Sequence, residues 1–230
     1  MAKTREININ TKSIIAFSFS LVAIGLFVLL TLFATSICEK FYGLIIGVIL
    51  MIAAIPLHLM GKDKQVGYVL SFLVNSIANG FSVSAYYVSK NIALNVADML
   101  KTCFIPIVLL FVVYLLVQFF PQTKKYVCAS SVIICCIMLV IFAVLWIRKG
   151  AMPYSFGFFA ILLSLFYHCV FALTVNNDRL VLRDISFGSF GAFVIISIVV
   201  LFILTEGEIL EGFDIGGGEG KKKVKHKKNK

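Results

Sequence analysis

The stretch SIIAFSFSLVAIGLFVLLTLFATSIC, residues 13–38, contains 26 consecutive positions without an Asp, Glu, Lys or Arg. A helix rises about 1.5 Å per residue, so about 20 such residues cross a hydrocarbon layer roughly 30 Å thick. Lys3, Arg5 and Lys12 precede the stretch, as in a secretory signal, but the apolar region of a cleavable signal has only about 7–15 residues. We therefore predict an uncleaved first membrane span that follows a cytoplasmic N-terminus.

The same pattern recurs along the whole chain, in which 32 charged residues leave six further charge-free runs. These runs are Phe41–Gly61, Gln65–Ser89, Thr102–Thr123, Tyr126–Ile147, Gly150–Asn177 and Ile185–Thr205. The seven runs cover 165 of 230 positions, and 60% of the residues are hydrophobic, against about 45–50% in soluble domains. The sequence predicts an all-α fold, a polytopic transmembrane helical bundle with seven spans that forms a single domain over residues 1–205.

The distribution of basic residues leaves the span count open between two alternatives. Cytoplasmic loops carry an excess of Lys and Arg. Seven spans place nine of these residues inside and five outside. The seven lysines of the C-terminal tail also lie outside in this arrangement, which makes the count nine inside against twelve outside. If Gln65–Ser89 instead enters the membrane and returns, the count becomes sixteen inside against five outside. The 25 uncharged residues of that segment favour crossing, so we predict seven spans, with six plus one re-entrant segment as the alternative.

The composition changes at the C-terminus. Residues 206–230 combine five acidic residues and a glycine cluster with seven lysines in the last ten positions. Glycine next to a block of like charge predicts a disordered, solvated tail. Its lysines are expected to contact anionic lipid headgroups. A nucleic-acid partner is not expected, because no folded basic surface with interleaved aromatic residues accompanies the tail.

The connection Lys90–Lys101 is longer than the others and amphipathic. Apolar residues at helical spacing face one side, and Asn91, Asn95 and Asp98 face the other. This pattern predicts either a short helix at the membrane interface or an extension of the third or fourth span into water.

The third run carries the most informative pattern in the chain. Six polar residues recur at intervals of three and four and thus share one helical face: Tyr68, Ser71, Asn75, Asn79, Ser82 and Tyr86. An amide facing lipid would lose its hydrogen bonds to water, so this face is expected to meet protein or an aqueous cavity. It predicts either a path for a small solute or a seam of hydrogen bonds between helices.

His168 is a strongly titratable residue well inside a predicted span. A buried imidazole either carries a proton or cation or forms a hydrogen bond to a neighbouring helix. We include His168 among the candidate functional residues and predict the asparagines of the third run as its partners.

Small residues at intervals of four mark two candidate packing faces. Gly43 and Gly47 form such a step in the second run, and Gly188 and Ala192 form one in the seventh. This spacing lets helix backbones approach closely. We predict helix packing at both steps, with a dimer interface as the alternative.

The sequence contains no pattern typical of a metal or cofactor site. The six cysteines include no CxxC and have no histidine at ligand spacing, so neither a metal nor a cofactor is predicted. Cys38 and Cys103 would both lie near the outer surface, and their pairing is left open. The seven runs contain no Asp, Glu, Lys or Arg, and the loops are short, so an enzyme is less expected than a non-catalytic protein.

Two functions of different classes fit these observations. The first is a transporter or permease-like protein for a small solute or ion, which would use the neutral polar face of the third run. The second is a non-catalytic interaction protein of the membrane: an accessory, sensor or immunity-type subunit with a partner subunit or a second copy of itself. The brevity of the chain and the lack of sorting signals lead us to predict a bacterial plasma membrane location.

Overall fold

The computed structural model describes residues 9–39, 41–150, 155–175 and 181–205, and within these ranges it has no strand. Seven helices account for almost all of them: α1 (Ile9–Ile37), α2 (Tyr42–Met60), α3 (Val66–Ser89), α4 (Val96–Phe119), α5 (Lys124–Lys149), α6 (Ser155–Thr174) and α7 (Val181–Leu204). Each is long and apolar enough to cross a membrane. The predicted all-α bundle with seven spans is therefore confirmed.

The third span does not return on itself. α3 is one continuous helix of 24 residues, which corresponds to about 36 Å at 1.5 Å per residue. The alternative of six spans plus a re-entrant segment is therefore wrong. The C-terminal tail, residues 206–230, lies outside the described residues.

The amphipathic connection does not form a separate interface helix. Asn91 has a positive φ of 51° directly after α3, and the Asn95 side chain caps α4 by accepting a hydrogen bond from the backbone N–H of Ala97 at 2.9 Å. Residues 96–101 are the first turns of α4. Of the two sequence-based alternatives, the structure therefore has the extended fourth helix.

Two helices form the centre of the bundle. In the most apolar 18-residue window of each span, 67% of the residues are buried in α3 and 72% in α6, against 17–39% in the other spans. α1 and α7 each pack against both α3 and α6. α2 covers α3 and α7 from outside, and α4 and α5 cover α6. The two central helices are thus shielded from lipid on most sides.

Glycines allow the closest helix approaches. A Cβ atom on Gly43 would collide with Ser84 and the carbonyl oxygen of Phe81 on α3, and one on Gly47 would collide with Ser82 on the same helix. On α7, a Cβ at Gly188 would collide with Val170 of α6. Ala192 also lies beside α6, next to Phe166. Both small-residue steps therefore contact helices of the same chain.

We predict that Gly47→Leu destabilises the protein and that Gly25→Leu does not. The leucine at position 47 would be forced against α3, and overpacking of this kind costs about 1–3 kcal/mol. Gly25 is the matched control, because no atom lies within 4 Å of a Cβ built there and leucine is the better helix former. The free energy of unfolding in mixed micelles measures both. Equal destabilisation by the two substitutions would contradict the packing described.

Candidate functional site

The six residues predicted to share one face of α3 are all inside the bundle. Their exposed fractions range from 0% to 3%. We call them the polar stripe: Tyr68, Ser71, Asn75, Asn79, Ser82 and Tyr86. The stripe extends about 27 Å along the helix, close to the roughly 30 Å thickness of a hydrocarbon core. Its burial removes every one of these polar groups from contact with lipid.

Serines of α7 face the polar stripe. Asn75 donates from Nδ2 to Oγ of Ser189 at 3.1 Å. Near the other end of the helix, Oγ of Ser197 donates to Oγ of Ser82 at 3.4 Å. Ser189 in turn donates to the carbonyl oxygen of Ser186 on its own helix at 2.5 Å. The stripe is thus joined to α7 by two side-chain hydrogen bonds between small neutral groups.

A histidine closes the first end of the stripe. His58 Nδ1 lies 2.8 Å from Oγ of Ser186 on α7. Its ring makes edge contacts with Tyr68 of α3 at 5.1 Å and with Phe190 of α7 at 5.7 Å between centroids. Three helices, α2, α3 and α7, therefore meet at one imidazole.

Aromatic residues close the opposite end. The hydroxyl of Tyr86 lies 2.8 Å from Oγ of Ser155, the first residue of α6. The Tyr86 ring contacts Trp146 of α5 at 5.7 Å and Phe159 of α6 at 5.8 Å. Tyr87 packs edge-on against Tyr86 at 4.9 Å. This end is thus sealed by rings from three helices.

His168 is buried but does not face the asparagines. Its Nε2 lies 3.3 Å from Oγ of Ser164 on the same helix, and Ser164 also donates to the carbonyl oxygen of Pro106 on α4 at 3.2 Å. The neighbouring Tyr167 contacts α3 instead, with its ring 6.2 Å from that of Phe72. Consecutive residues of a helix point about 100° apart. The structure therefore directs His168 towards α4 and Tyr167 towards α3, so the expected pairing of His168 with the asparagines is wrong.

Several polar atoms of α3 lack hydrogen-bond partners. Each has an accessible area below 1 Å² and no partner among the described residues: Ser71 Oγ, Asn75 Oδ1, Asn79 Nδ2, Asn79 Oδ1 and Tyr87 OH. Asn79 is the extreme case, since both ends of its amide lack partners. Asn75 uses its nitrogen and leaves its oxygen unbonded.

These unpartnered atoms are energetically costly. A buried donor or acceptor without a hydrogen bond costs about 1–3 kcal/mol in proteins, and lipid offers no relief. An accessible area near zero also means that no water-sized space adjoins these atoms in this conformation. The stripe is therefore a closed, unsatisfied polar surface rather than a completed packing seam.

Sequence reasoning missed the residues that oppose the stripe. Ser186, Ser189 and Ser197 form a second polar face on α7, and the intervals of three and eight residues place them close to one side of the helix. Tyr167 gave no such signal, because its polar hydroxyl lies among aromatic and aliphatic neighbours of α6. Helical spacing could have identified the serines, whereas the contact of Tyr167 with α3 depends on which helices become neighbours.

Cysteines do not contribute to the site. Cys38 and Cys103 are both free thiols and belong to different hydrophobic clusters. Burial raises the pKa of the Cys38 thiol. Within the described residues, no three His, Cys, Asp or Glu side chains are grouped to hold a metal ion.

Comparison of the chain with protein-family models, curated proteins and solved structures gives no match. The seven apolar helices identify a multi-pass integral membrane protein. Its more specific function must be argued from the chemistry of the polar stripe and its surroundings.

We predict that two substitutions in the site change the free energy of unfolding in opposite directions. Asn79→Leu replaces an unpartnered amide by an apolar group of similar shape and should raise the free energy of unfolding by about 1–3 kcal/mol. Ser189→Ala leaves Nδ2 of the buried Asn75 without its partner and should lower the free energy of unfolding by about 1–3 kcal/mol. Unfolding in mixed micelles tests both. Destabilisation by Asn79→Leu would mean that the amide is a structural bond of a packing seam.

Proposed function

We propose that this protein is a transporter for a small, uncharged polar solute, which binds along the polar stripe between α3, α6 and α7. The observation that carries the proposal is Asn79, whose buried amide has both a donor and an acceptor without partners among the described residues. A solute that offers one acceptor and one donor would satisfy both atoms. Asn75 Oδ1 and Ser71 Oγ add further unused groups on the same helix face.

The chemistry of the stripe favours a neutral solute. Its members are amides, hydroxyls and phenols, and the helices opposite contribute serines and aromatic rings. A charged solute would lose its hydration without meeting an opposite charge, which is costly in a low-dielectric interior. An uncharged solute exchanges hydrogen bonds with water for hydrogen bonds with amides and hydroxyls at much lower cost.

Both ends of the proposed path are closed in this conformation, as an occluded state requires. Asn75–Ser189, Ser82–Ser197 and Tyr86–Ser155 are among the hydrogen bonds that would have to break for α3 to separate from α6 and α7. At about 0.6 kcal/mol each, these three bonds contribute about 2 kcal/mol to the closed state. Hydrogen bonds of this strength can break and re-form in a site that alternates between states.

The alternative function, a non-catalytic interaction subunit, loses one of its supports. The glycine step of Gly43 and Gly47 contacts α3 of the same chain, so a bulky residue there would disturb folding before it disturbed any partner. The partnerless amide of Asn79 has no explanation in a purely scaffolding role. We therefore give precedence to the solute site.

We predict that Asn79→Leu and Asn75→Leu lower solute uptake into proteoliposomes at least tenfold. The test uses a labelled panel of urea, acetamide, glycerol, glucose and glutamine, with choline and glutamate as charged comparisons. Ser130→Ala is the matched control, because this exposed hydroxyl bonds only the carbonyl oxygen of Val127 on its own helix. Uptake of a neutral panel member that survives both asparagine substitutions, or uptake confined to charged members, would contradict the proposal.

A further inference from the structure

An apolar groove runs along the outside of the bundle between α5 and α7. It has a volume of about 190 Å³. Four residues of each helix line it: Leu139, Phe142, Ala143 and Trp146 on α5, and Ile198, Val199, Phe202 and Ile203 on α7. From Leu139 to Trp146 the groove follows about 10 Å of α5.

Aromatic residues of α6 support the floor of the groove. Phe142 stacks on Phe158 of α6 with 4.0 Å between ring centroids and contacts Phe159 at 5.9 Å. α6 thus supports the groove from inside, while the outer side opens towards the hydrocarbon layer that surrounds these spans. The lining is aliphatic and aromatic apart from the indole nitrogen of Trp146, which suits an acyl chain.

Positive charge lies at one end of the groove. The ammonium group of Lys90 sits 5.3 Å from the centre of the Trp146 ring. Arg148 and Lys149 form the last turn of α5 and are exposed. Lys149 follows Trp146 by three residues and Phe142 by seven, so it continues the face of α5 that lines the groove.

We propose that this groove is a binding site for an anionic phospholipid of the surrounding membrane. One acyl chain lies between α5 and α7, and the headgroup phosphate meets Lys149, Arg148 and Lys90. Tryptophan at this position matches the preference of indole for the boundary between headgroups and hydrocarbon. Apolar lining and terminal cations together distinguish the groove from the remaining exposed apolar surface, and the site does not depend on the proposed transport function.

The protein carries its own reporter for this site, because Trp146 is its single tryptophan and lines the groove. The full-length chain is reconstituted in mixtures of phosphatidylcholine and phosphatidylglycerol, with a dibrominated acyl chain on one lipid at a time. Bromine quenches the indole on contact. We expect brominated phosphatidylglycerol to quench Trp146 more than its mole fraction predicts, and brominated phosphatidylcholine less.

Substitutions test the cationic end of the site and its apolar groove separately. Lys149→Gln should lower the preference for phosphatidylglycerol about fivefold, since each lysine near the surface contributes about that factor. Lys125→Gln, at the opposite end of α5, is the control and should leave the preference unchanged. Ala143→Leu and Val199→Phe fill the groove from opposite walls, and either should reduce quenching by both lipids.

Three outcomes would contradict the proposed lipid site. Quenching that follows mole fraction for both headgroups would show that no anionic lipid is selected. Equal loss of preference in Lys149→Gln and Lys125→Gln would replace a defined site by general surface charge. Unchanged quenching in both groove-filling variants, with the helical circular dichroism of the wild type, would exclude an acyl chain between α5 and α7.

Discussion

The structure depends on one constraint: hydrocarbon offers no hydrogen bonds, so every polar group within the membrane must find its partner in protein. The backbone meets this constraint by forming seven continuous helices. Side chains meet this constraint through the arrangement of the helices, because the helix with the most polar face must be enclosed by the others. α3 has the lowest mean hydropathy of the seven spans, 1.4 against 2.1–2.9 elsewhere. It therefore lies at the centre, with its polar stripe against α7 and α6.

Against this background, the incomplete satisfaction of the stripe carries functional information. Three members of the stripe have partners on other helices: Asn75 and Ser82 on α7, and Tyr86 on α6. Asn79, which lies between Asn75 and Ser82, has no partner among the described residues. A chain selected only for stability would replace such an amide by an apolar residue of the same shape. Under the proposed function, a solute supplies the missing bonds in another state.

The span count and the buried face of α3 could be predicted from sequence, because charge-free length and helical spacing follow directly from membrane thickness and helix geometry. The central position of α6 could not be predicted. Its helix is rich in Phe and Leu on all sides, so the sequence offers no contrast between lipid-facing and protein-facing surfaces. The predicted orientation of His168 was wrong for a related reason. Which of two adjacent residues meets α3 depends on the rotation of α6, and the contacts of α6 with α1, α4, α5 and α7 set that rotation.

The most direct test is the water accessibility of position 79 compared with its neighbour. Asn79→Cys and Ala78→Cys, each in a chain without its six native cysteines, are treated in native membranes with a membrane-impermeant methanethiosulfonate reagent. Both positions are fully buried at the same depth, but Ala78 lies in the seam with Gly47 of α2. If the stripe opens to water, Asn79→Cys should react at least tenfold faster than Ala78→Cys. Equal rates at the two positions would contradict a solute site on this face of α3.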